Sequence, residues 1–157
     1  MKAIPQVGKF ATLLFASLVL VACSSNETND SAAEDAAAAA AEQQRLAEAA
    51  MSAGTVFYFD FDSSALTDAA RAAVDAHIAV MLGNDASVRL EGHTDERGTR
   101  EYNLALGERR ANAVRDYMVA NGVPSYRIES ISYGEENPVA FGSGEANWSQ
   151  NRRVELK

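Results

Sequence analysis

The segment Glu91–Gly98 constrains the fold of this 157-residue chain more than any other stretch. It continues an alternating polar and apolar run, Ser87–Glu91, which is typical of a strand with one buried face. Directly after it, a helical pattern extends from Glu101 to Asn121. The sequence therefore predicts that a strand, an acidic turn and a long helix follow one another within about thirty residues.

The long helix is predicted to carry two neighbouring faces. The residues of the packing face recur at helical spacing and are Leu104, Ala111, Val114 and Met118. The residues of the neighbouring face follow the same spacing and are Asn103, Leu106, Arg110, Ala113 and Tyr117. One face can thus pack on a core while the next presents Arg110 to a ligand. Gly122 and Pro124 are predicted to end the helix.

The remaining elements predict one mixed domain. Val56–Phe61 is aromatic and β-branched, as expected of a first strand. Thr67 is a suitable N-cap for a second helix, whose packing residues are Val74, Ile78, Met81 and Leu82. Further strands are predicted over Arg127–Tyr133 and Arg153–Leu156. The order β-α-β-α-β-β predicts an α+β fold in which two main helices pack on one face of a sheet.

The amino terminus is predicted to be an export signal. Residues 1–22 combine Lys2 and Lys9 with a short apolar run, and they end in a sequence that resembles the bacterial lipobox. This resemblance predicts lipid attachment to Cys23; the alternative is an ordinary signal peptide with an incidental cysteine. Cys23 is the only cysteine, so no intramolecular disulfide can form. Ser24, by resemblance to lipoprotein sorting, points to the outer membrane, with the head domain in the periplasm.

Residues 23–53 are predicted to form a flexible tether. They change from Ser, Asn, Thr and Asp to Ala-rich sequence, which cannot build a core. A helix over residues 32–51 would have little to bury. The tether is either a spacer without partners or a helix that pairs with another protein. The folded domain is then expected over residues 54–157.

The composition disfavours several functions. Without Lys2 and Lys9, 12 basic residues stand against 22 acidic ones, a net charge of −10. Such a surface repels phosphate, so no nucleic-acid partner is expected. Two histidines and no second ligand cluster predict no metal, and no other cofactor is expected. No Ser/His/Asp or Cys/His arrangement indicates an enzyme.

Asp95 and Arg110 are the candidate binding pair. An amino-acid centre carries an ammonium group beside a carboxylate, so its site needs an acceptor close to a donor. Asp95 can accept from the ammonium, and Arg110 can donate two parallel bonds to the carboxylate. Alternatively, the two residues pair with each other, or with Glu96 and Arg97, in a structural network.

Several motifs resemble the OmpA-like domain family. They are Gly92–Gly98, Tyr102–Asn103, Leu106–Val114, Ser132–Gly134 and Asn151–Val154. The resemblance covers residues 56–156, nearly all of the predicted domain. Gly107 replaces the Ser found in many members, and Ser63–Ser64 replaces a more typical Lys-Tyr pair, which leaves the contacts of that loop open.

The resemblance implies a non-catalytic domain that binds meso-diaminopimelate in the peptide stem of peptidoglycan. Asp95 and Arg110 match the family's binding acid and arginine. The other ligand-binding positions implied by the resemblance are Asn103, Leu106, Phe61, Asp62 and Thr94. His93 is expected to shape the turn.

The same resemblance implies partners and a role in the envelope. The partners are peptidoglycan and the Tol system, chiefly TolB, which would compete with peptidoglycan, together with other OmpA-like envelope proteins. The lipid anchor would join the outer membrane to the cell wall and so support envelope integrity and cell division. The alternatives are a lipoprotein hydrolase of the wall, such as an amidase, and a purely structural Tol partner.

Overall fold

A computed structural model describes residues 27–157, with side-chain burial from residue 32. The predictions for residues 1–22 and for lipidation of Cys23 lie outside this range. The helices and strands, in chain order, are α1 (Glu27–Ala53), β1 (Val56–Tyr58), α2 (Asp68–Leu82), β2 (Val88–His93), α3 (Arg100–Ala120), β3 (Ile128–Gly134), α4 (Glu145–Asn151) and β4 (Arg153–Leu156). A 3-10 turn, Ser125–Arg127, precedes β3. Among the residues described, no helix has the length and apolar character needed to cross a bilayer.

The strands form one open sheet in the order β1-β4-β2-β3. The pair β2 and β3 is parallel, while β4 runs antiparallel to both of its neighbours, β1 and β2. Helices α2 and α3 pack against the sheet and share one hydrophobic core with it. The predicted α+β fold with two main helices on one face is therefore confirmed.

The core consists of inward-facing apolar side chains from the sheet and both helices. Its most buried members are Phe57, Val74, Leu90, Ala111, Val114, Met118 and Val154. Thr67 accepts a hydrogen bond from the Ala70 backbone and caps α2, as predicted from the sequence. These side chains fix the orientation of both helices relative to the carboxyl end of β2.

Strand β1 is shorter than predicted. It ends at Tyr58, and the chain then turns, with the Ser63 N–H donating to the Asp60 carbonyl at 3.3 Å. The Asp60 carbonyl also accepts a hydrogen bond from Arg110, so it is not free for the sheet. Phe61 therefore lies in a loop beside the sheet and not within a strand.

Two leucines predicted to pack are exposed. Leu82 is 58% exposed in the last turn of α2, and Leu104 is 44% exposed near the start of α3. In α3 the helix is rotated so that Gly107 faces the sheet, which moves Leu104 to the edge beside β3. The main-chain carbonyl of Leu104 there accepts a hydrogen bond from Ser132.

A close backbone contact sets the position of α3. A Cβ atom added to Gly92 on β2 would lie 2.0 Å from the Gly107 carbonyl oxygen, and one added to Gly107 would lie 2.3 Å from the Ser132 hydroxyl. A side chain at Gly92 would push against the backbone of α3, whereas one at Gly107 would first displace the Ser132 hydroxyl. The contact brings the Asn103–Arg110 segment of α3 against the end of β2.

Helix α1 packs on α2 with its carboxyl-terminal half. Ala50 is buried, Leu46 and Ala47 are half-buried, and residues 32–45 are exposed. The sequence predicted little burial here because small Ala side chains give a weak apolar signal, yet they allow two helices to approach closely. The role of residues 23–53 as a tether stays a prediction.

The domain has two distinct ends. At the first, called the cavity end, β2 finishes at His93 and helices α2 and α3 begin. At the second, called the α1 end, α2 and α3 finish. Gln43 lies 3.5 Å from the Gly83 carbonyl, whereas the Gly54 carbonyl contacts His77 at 2.7 Å. Helix α1 therefore runs antiparallel to α2 and extends away from the α1 end.

Candidate ligand-binding site

A tightly bonded turn connects β2 to α3. The Thr94 N–H donates to the Gly134 carbonyl at 2.9 Å, and the Arg97 N–H donates to the Asp95 carboxylate at 3.1 Å. Gly98 has a φ of +117°, which side-chain-bearing residues rarely adopt. Thr99 then caps α3 by accepting from the Tyr102 N–H. The turn thus holds Asp95 beside the first turns of the helix.

A cavity of about 220 Å³ lies at this turn. The predicted site residues that line it are Phe61, Asp62, Thr94, Asp95, Asn103, Leu106 and Arg110, which is the complete predicted ligand set. Three further residues line the cavity, namely Arg97, Gly98 and Tyr102. The fold therefore brings together residues from the loop after β1, the turn after β2 and the side of α3 that faces this turn.

Arg110 is a buried cation beneath this cavity. It is 0% exposed, and its guanidinium donates to the carbonyls of Ser63, His93 and Asp60 at 2.8 to 3.0 Å. Among residues 32–157, no carboxylate lies within 4.0 Å of it. Burial lowers the Arg110 pKa to about 10, which still leaves it charged at neutral pH. The structure thus places a positive charge beneath the cavity without a carboxylate partner in that range.

Asp95 is buried, and both of its carboxylate oxygens already accept hydrogen bonds. One carboxylate oxygen accepts from the Arg97 backbone N–H and from Nε, at 3.1 and 3.0 Å. The other accepts from Nη2 of Arg97 at 2.7 Å and from Arg152 at 3.4 Å. Burial alone would raise the Asp95 pKa, but these hydrogen bonds and charges hold it below its usual range. Asp95 therefore pairs with Arg97, as one alternative predicted, and not with Arg110.

Arg97 is held between two aromatic rings. Its guanidinium carbon lies 3.9 Å from the centre of the Phe61 ring and 4.1 Å from that of Trp148. Such cation–π contacts stabilise an arginine at a partly desolvated position. Trp148 is fixed in turn, because its indole N–H donates to Glu96 at 3.1 Å. The side chain of Arg97 remains 30% exposed at the surface of the site.

The other lining residues provide polar and apolar groups. The Thr94 hydroxyl is buried and has no hydrogen-bond partner within residues 32–157. Asn103 donates to Glu135, and Tyr102 donates to Asp62. Leu106 is 5% exposed and contributes an apolar wall. The cavity therefore combines charged groups with an apolar side, as suits a ligand with a charged end and an aliphatic chain.

His93 lies behind the turn and outside the cavity lining. It is 2% exposed and stacks on Tyr133 with ring centres 5.6 Å apart. Both of its ring nitrogens lack a hydrogen-bond partner within residues 32–157. Burial, together with the charge of Arg153, lowers the His93 pKa to about 4. In the described part of the chain, no group of three His, Cys, Asp or Glu side chains is arranged to hold a metal ion.

Sequence reasoning did not assign Arg97 or Trp148 to the site. Arg97 was considered only as part of a structural network, although its place two residues after Asp95 in a turn was a usable signal. Trp148 lies more than fifty residues further along the chain, and only the tertiary fold brings it to Arg97, as it brings Arg152 of the Asn151–Val154 motif to Asp95. No local pattern in the sequence could reveal those contacts.

Comparison with known proteins identifies the family. The profile of the OmpA family matches residues 58–152, which include the whole cavity. The chain belongs to the OmpA family, so the resemblance predicted from the sequence is confirmed.

Relatives of similar length carry one name. The chain is 49% identical to the peptidoglycan-associated lipoprotein of Pseudomonas aeruginosa over 97% of both chains. It is 50% identical to the peptidoglycan-associated lipoprotein of Pseudomonas putida, again over 97% of both chains. The similarity therefore extends beyond the folded domain into the amino-terminal third.

Solved structures agree with the fold. The crystal structure of the peptidoglycan-associated lipoprotein from Burkholderia pseudomallei is 45% identical, with a TM-score of 0.65 over 66% of this chain and 89% of that chain. The carboxyl-terminal domain of Helicobacter pylori MotB is 23% identical and has a TM-score of 0.60 over 65% of this chain and 81% of that chain, which shows the fold alone. Both similarities support the assignment of the sheet and helices.

Proposed function

We propose that this chain is an envelope lipoprotein whose cavity binds peptidoglycan noncovalently, by holding the zwitterionic end of meso-diaminopimelate. One observation carries this proposal: Arg110 is a buried charge beneath the cavity and has no carboxylate partner within residues 32–157. Arg110 and Asp95 line the same cavity, so a donor lies close to an acceptor, as an amino-acid centre requires. The shared name of the full-length relatives supports peptidoglycan as the source of that centre.

The chemistry of the ligand matches the cavity group by group. Its carboxylate would accept from Arg110, and its ammonium would donate to Asp95. Each of these charge-assisted contacts contributes roughly 1.5 to 3 kcal/mol. The Thr94 hydroxyl offers a further polar contact, and Leu106 faces the aliphatic part of the ligand. A single charge alone would bind many ions, whereas the pair selects an amino-acid centre.

We propose binding and not catalysis. The name of the relatives describes an association with peptidoglycan. Moreover, arginine contacts hold the pKa of Asp95 below its usual range, so Asp95 is suited to attract a cation and not to donate a proton at neutral pH. A cell-wall amidase would need a group that exchanges protons or activates water near neutral pH.

The geometry also suits a tether. Lipid attached to Cys23 would anchor the chain in the outer membrane, and the head would lie in the periplasm. Helix α1 has 27 residues, about 40 Å in length, and it leaves the domain at the end opposite the cavity. The cavity would then face away from the membrane and towards the cell wall. Within the Tol system, TolB would be the competing partner for the same head.

Sedimentation with purified sacculi tests the proposed site. We expect the wild-type protein to co-sediment, whereas Asp95→Asn and Arg110→Gln each reduce the affinity about 10- to 100-fold, because each removes one charge-assisted contact. A soluble peptide containing diaminopimelate should release the wild-type protein. Addition of purified TolB should do the same if the two partners compete.

A matched control separates binding from folding. Arg127 is 6% exposed and, like Arg110, donates to main-chain carbonyls, but it lies at the α1 end. Arg127→Gln should lower the free energy of unfolding by a similar amount and keep sacculus binding. Wild-type binding by both Asp95→Asn and Arg110→Gln would contradict the proposed site.

A further inference from the structure

Both charged groups of the proposed site are covered in the structure. Asp95 is 4% exposed and Arg110 is 0% exposed, although both line the cavity. The side chains above them are Arg97, 30% exposed, and Phe61, 58% exposed. A ligand therefore cannot touch both charges until part of this cover moves.

Arg97 uses the same carboxylate that a ligand ammonium would use. Its Nε and Nη2 atoms donate to the two Asp95 oxygens at 3.0 and 2.7 Å, and its backbone N–H adds a third bond at 3.1 Å. With Arg152 at 3.4 Å, both oxygens accept two hydrogen bonds each. An incoming ammonium must therefore replace the guanidinium and cannot simply be added to it.

Neighbouring side chains fix the position of Arg97. Phe61 and Trp148 enclose the guanidinium from its two faces, and Glu96 fixes Trp148. Glu145 lies 3.8 Å from Nη2 of Arg97 and offers an alternative carboxylate for the displaced side chain. Arg152 also contacts Asp95, at 3.4 Å, so Arg97 is not the only cation beside the acid.

We propose that Arg97, held between Phe61 and Trp148, is a latch that competes with the ligand ammonium for Asp95. This inference rests on the proposed function and deepens it. The Arg97 latch makes binding selective, because only a ligand that brings its own cation replaces the lost partner of Asp95. A ligand that carries a carboxylate alone leaves the latch in place.

Two peptides and two protein variants test the latch by calorimetric titration. The first peptide is L-Ala-D-Glu-meso-diaminopimelate, and the second has 2-aminopimelate as its third residue, which lacks the terminal ammonium group. Arg97→Met fills the space between the rings without a charge. We expect it to bind the diaminopimelate peptide about 10-fold more tightly than the wild type and the aminopimelate peptide no more tightly. Arg97→Lys keeps a cation and should show a much smaller gain.

A spectroscopic measurement follows the latch directly. In the wild type, the Arg97 Nε–H resonance should report its hydrogen bond to Asp95. Saturation with the diaminopimelate peptide should shift this resonance strongly, whereas the aminopimelate peptide should leave it in place. A purely structural role of Arg97 would give no such difference between the two peptides.

The possible results are distinguishable. Equal or weaker binding of the diaminopimelate peptide by Arg97→Met would overturn the latch while leaving the proposed function intact. An equal gain for both peptides would also overturn it, since competition for the ammonium would then play no part. If the wild type and both variants bind neither peptide, the proposed function fails and the latch fails with it.

Discussion

Two of the buried arginines, Arg110 at the cavity end and Arg127 at the α1 end, have almost the same bonding. Arg110 donates to three loop and strand carbonyls, and Arg127 donates to the carbonyls of Met81 and Ala86 and to the Asn84 side chain. Arg127 completes the end of α2, where helical carbonyls lack partners and a cation is favourable. Arg110 lies instead beneath a cavity and next to an acid. Burial and bonding alone therefore do not distinguish a structural arginine from one that is proposed to bind a ligand; their surroundings do.

The two ends also differ in how tightly the backbone is packed. At the cavity end, Gly92 and Gly107 bring β2 and α3 into direct contact. At the α1 end, Gly83 ends α2 with a φ of −92°, and a Cβ atom there would lie 3.5 Å from its nearest neighbour, the Val80 carbonyl. The site is thus held by a contact that leaves no room for a side chain at Gly92, whereas the α1 end has room at Gly83.

The largest expected effect tests this difference in packing. Gly92→Ala should lower the free energy of unfolding by about 3 kcal/mol, because its Cβ would meet the Gly107 carbonyl at 2.0 Å and force α3 away from β2. Gly83→Ala is the matched variant and should raise it by about 0.5 kcal/mol, since alanine adopts this φ without strain. Urea unfolding followed by circular dichroism measures both.

The same two variants should differ in their affinity for the ligand. The displaced helix carries Arg110, so Gly92→Ala should also weaken binding to the diaminopimelate peptide, and Gly83→Ala should leave it unchanged. Equal stability of the two variants would contradict the tight contact at the cavity end.

The next effect concerns pH and His93. The pKa of His93 is about 4 in the folded protein and about 6.5 when unfolded, so the unfolded state binds more protons between these values. The stability contributed by the neutral ring is complete above pH 6.5 and is lost as the pH falls towards 4. Between pH 7 and pH 5 this amounts to about 2 kcal/mol.

His93→Phe provides the comparison, because it keeps the ring stacked on Tyr133 and cannot be protonated. Urea unfolding at pH 7 and pH 5 should show a smaller loss for this variant than for the wild type. Equal losses in the two proteins would mean that other groups, such as the carboxylates, carry the whole pH dependence.

The sequence predicted the local parts of the site and not its long-range contacts. Asp95 lies in the turn that leads into α3, and Arg110 lies on α3 itself. Spacing and family motifs could therefore place the two residues together. The contact between the Arg97 guanidinium and the Trp148 ring depends on the position of strand β4 between β1 and β2. No local pattern in the sequence specifies that strand order. Leu104 was misplaced for a related reason, because the Gly92–Gly107 contact and not apolar spacing sets the rotation of α3. Packing of α1 was missed because small side chains give little hydrophobic signal.

The smallest expected effect tests whether α1 packs stably on α2 at the α1 end of the domain. Leu46 is half-buried against α2, so Leu46→Ala should weaken docking by about 1 kcal/mol and make the α1 amide hydrogens exchange about 5-fold faster. Glu42→Ala changes an exposed position of the same helix and should leave exchange unaltered. Binding of the diaminopimelate peptide should be the same in both variants, because α1 lies at the end opposite the cavity. If Leu46→Ala altered peptide binding but not α1 exchange, the two ends would be coupled in a way that this packing does not explain.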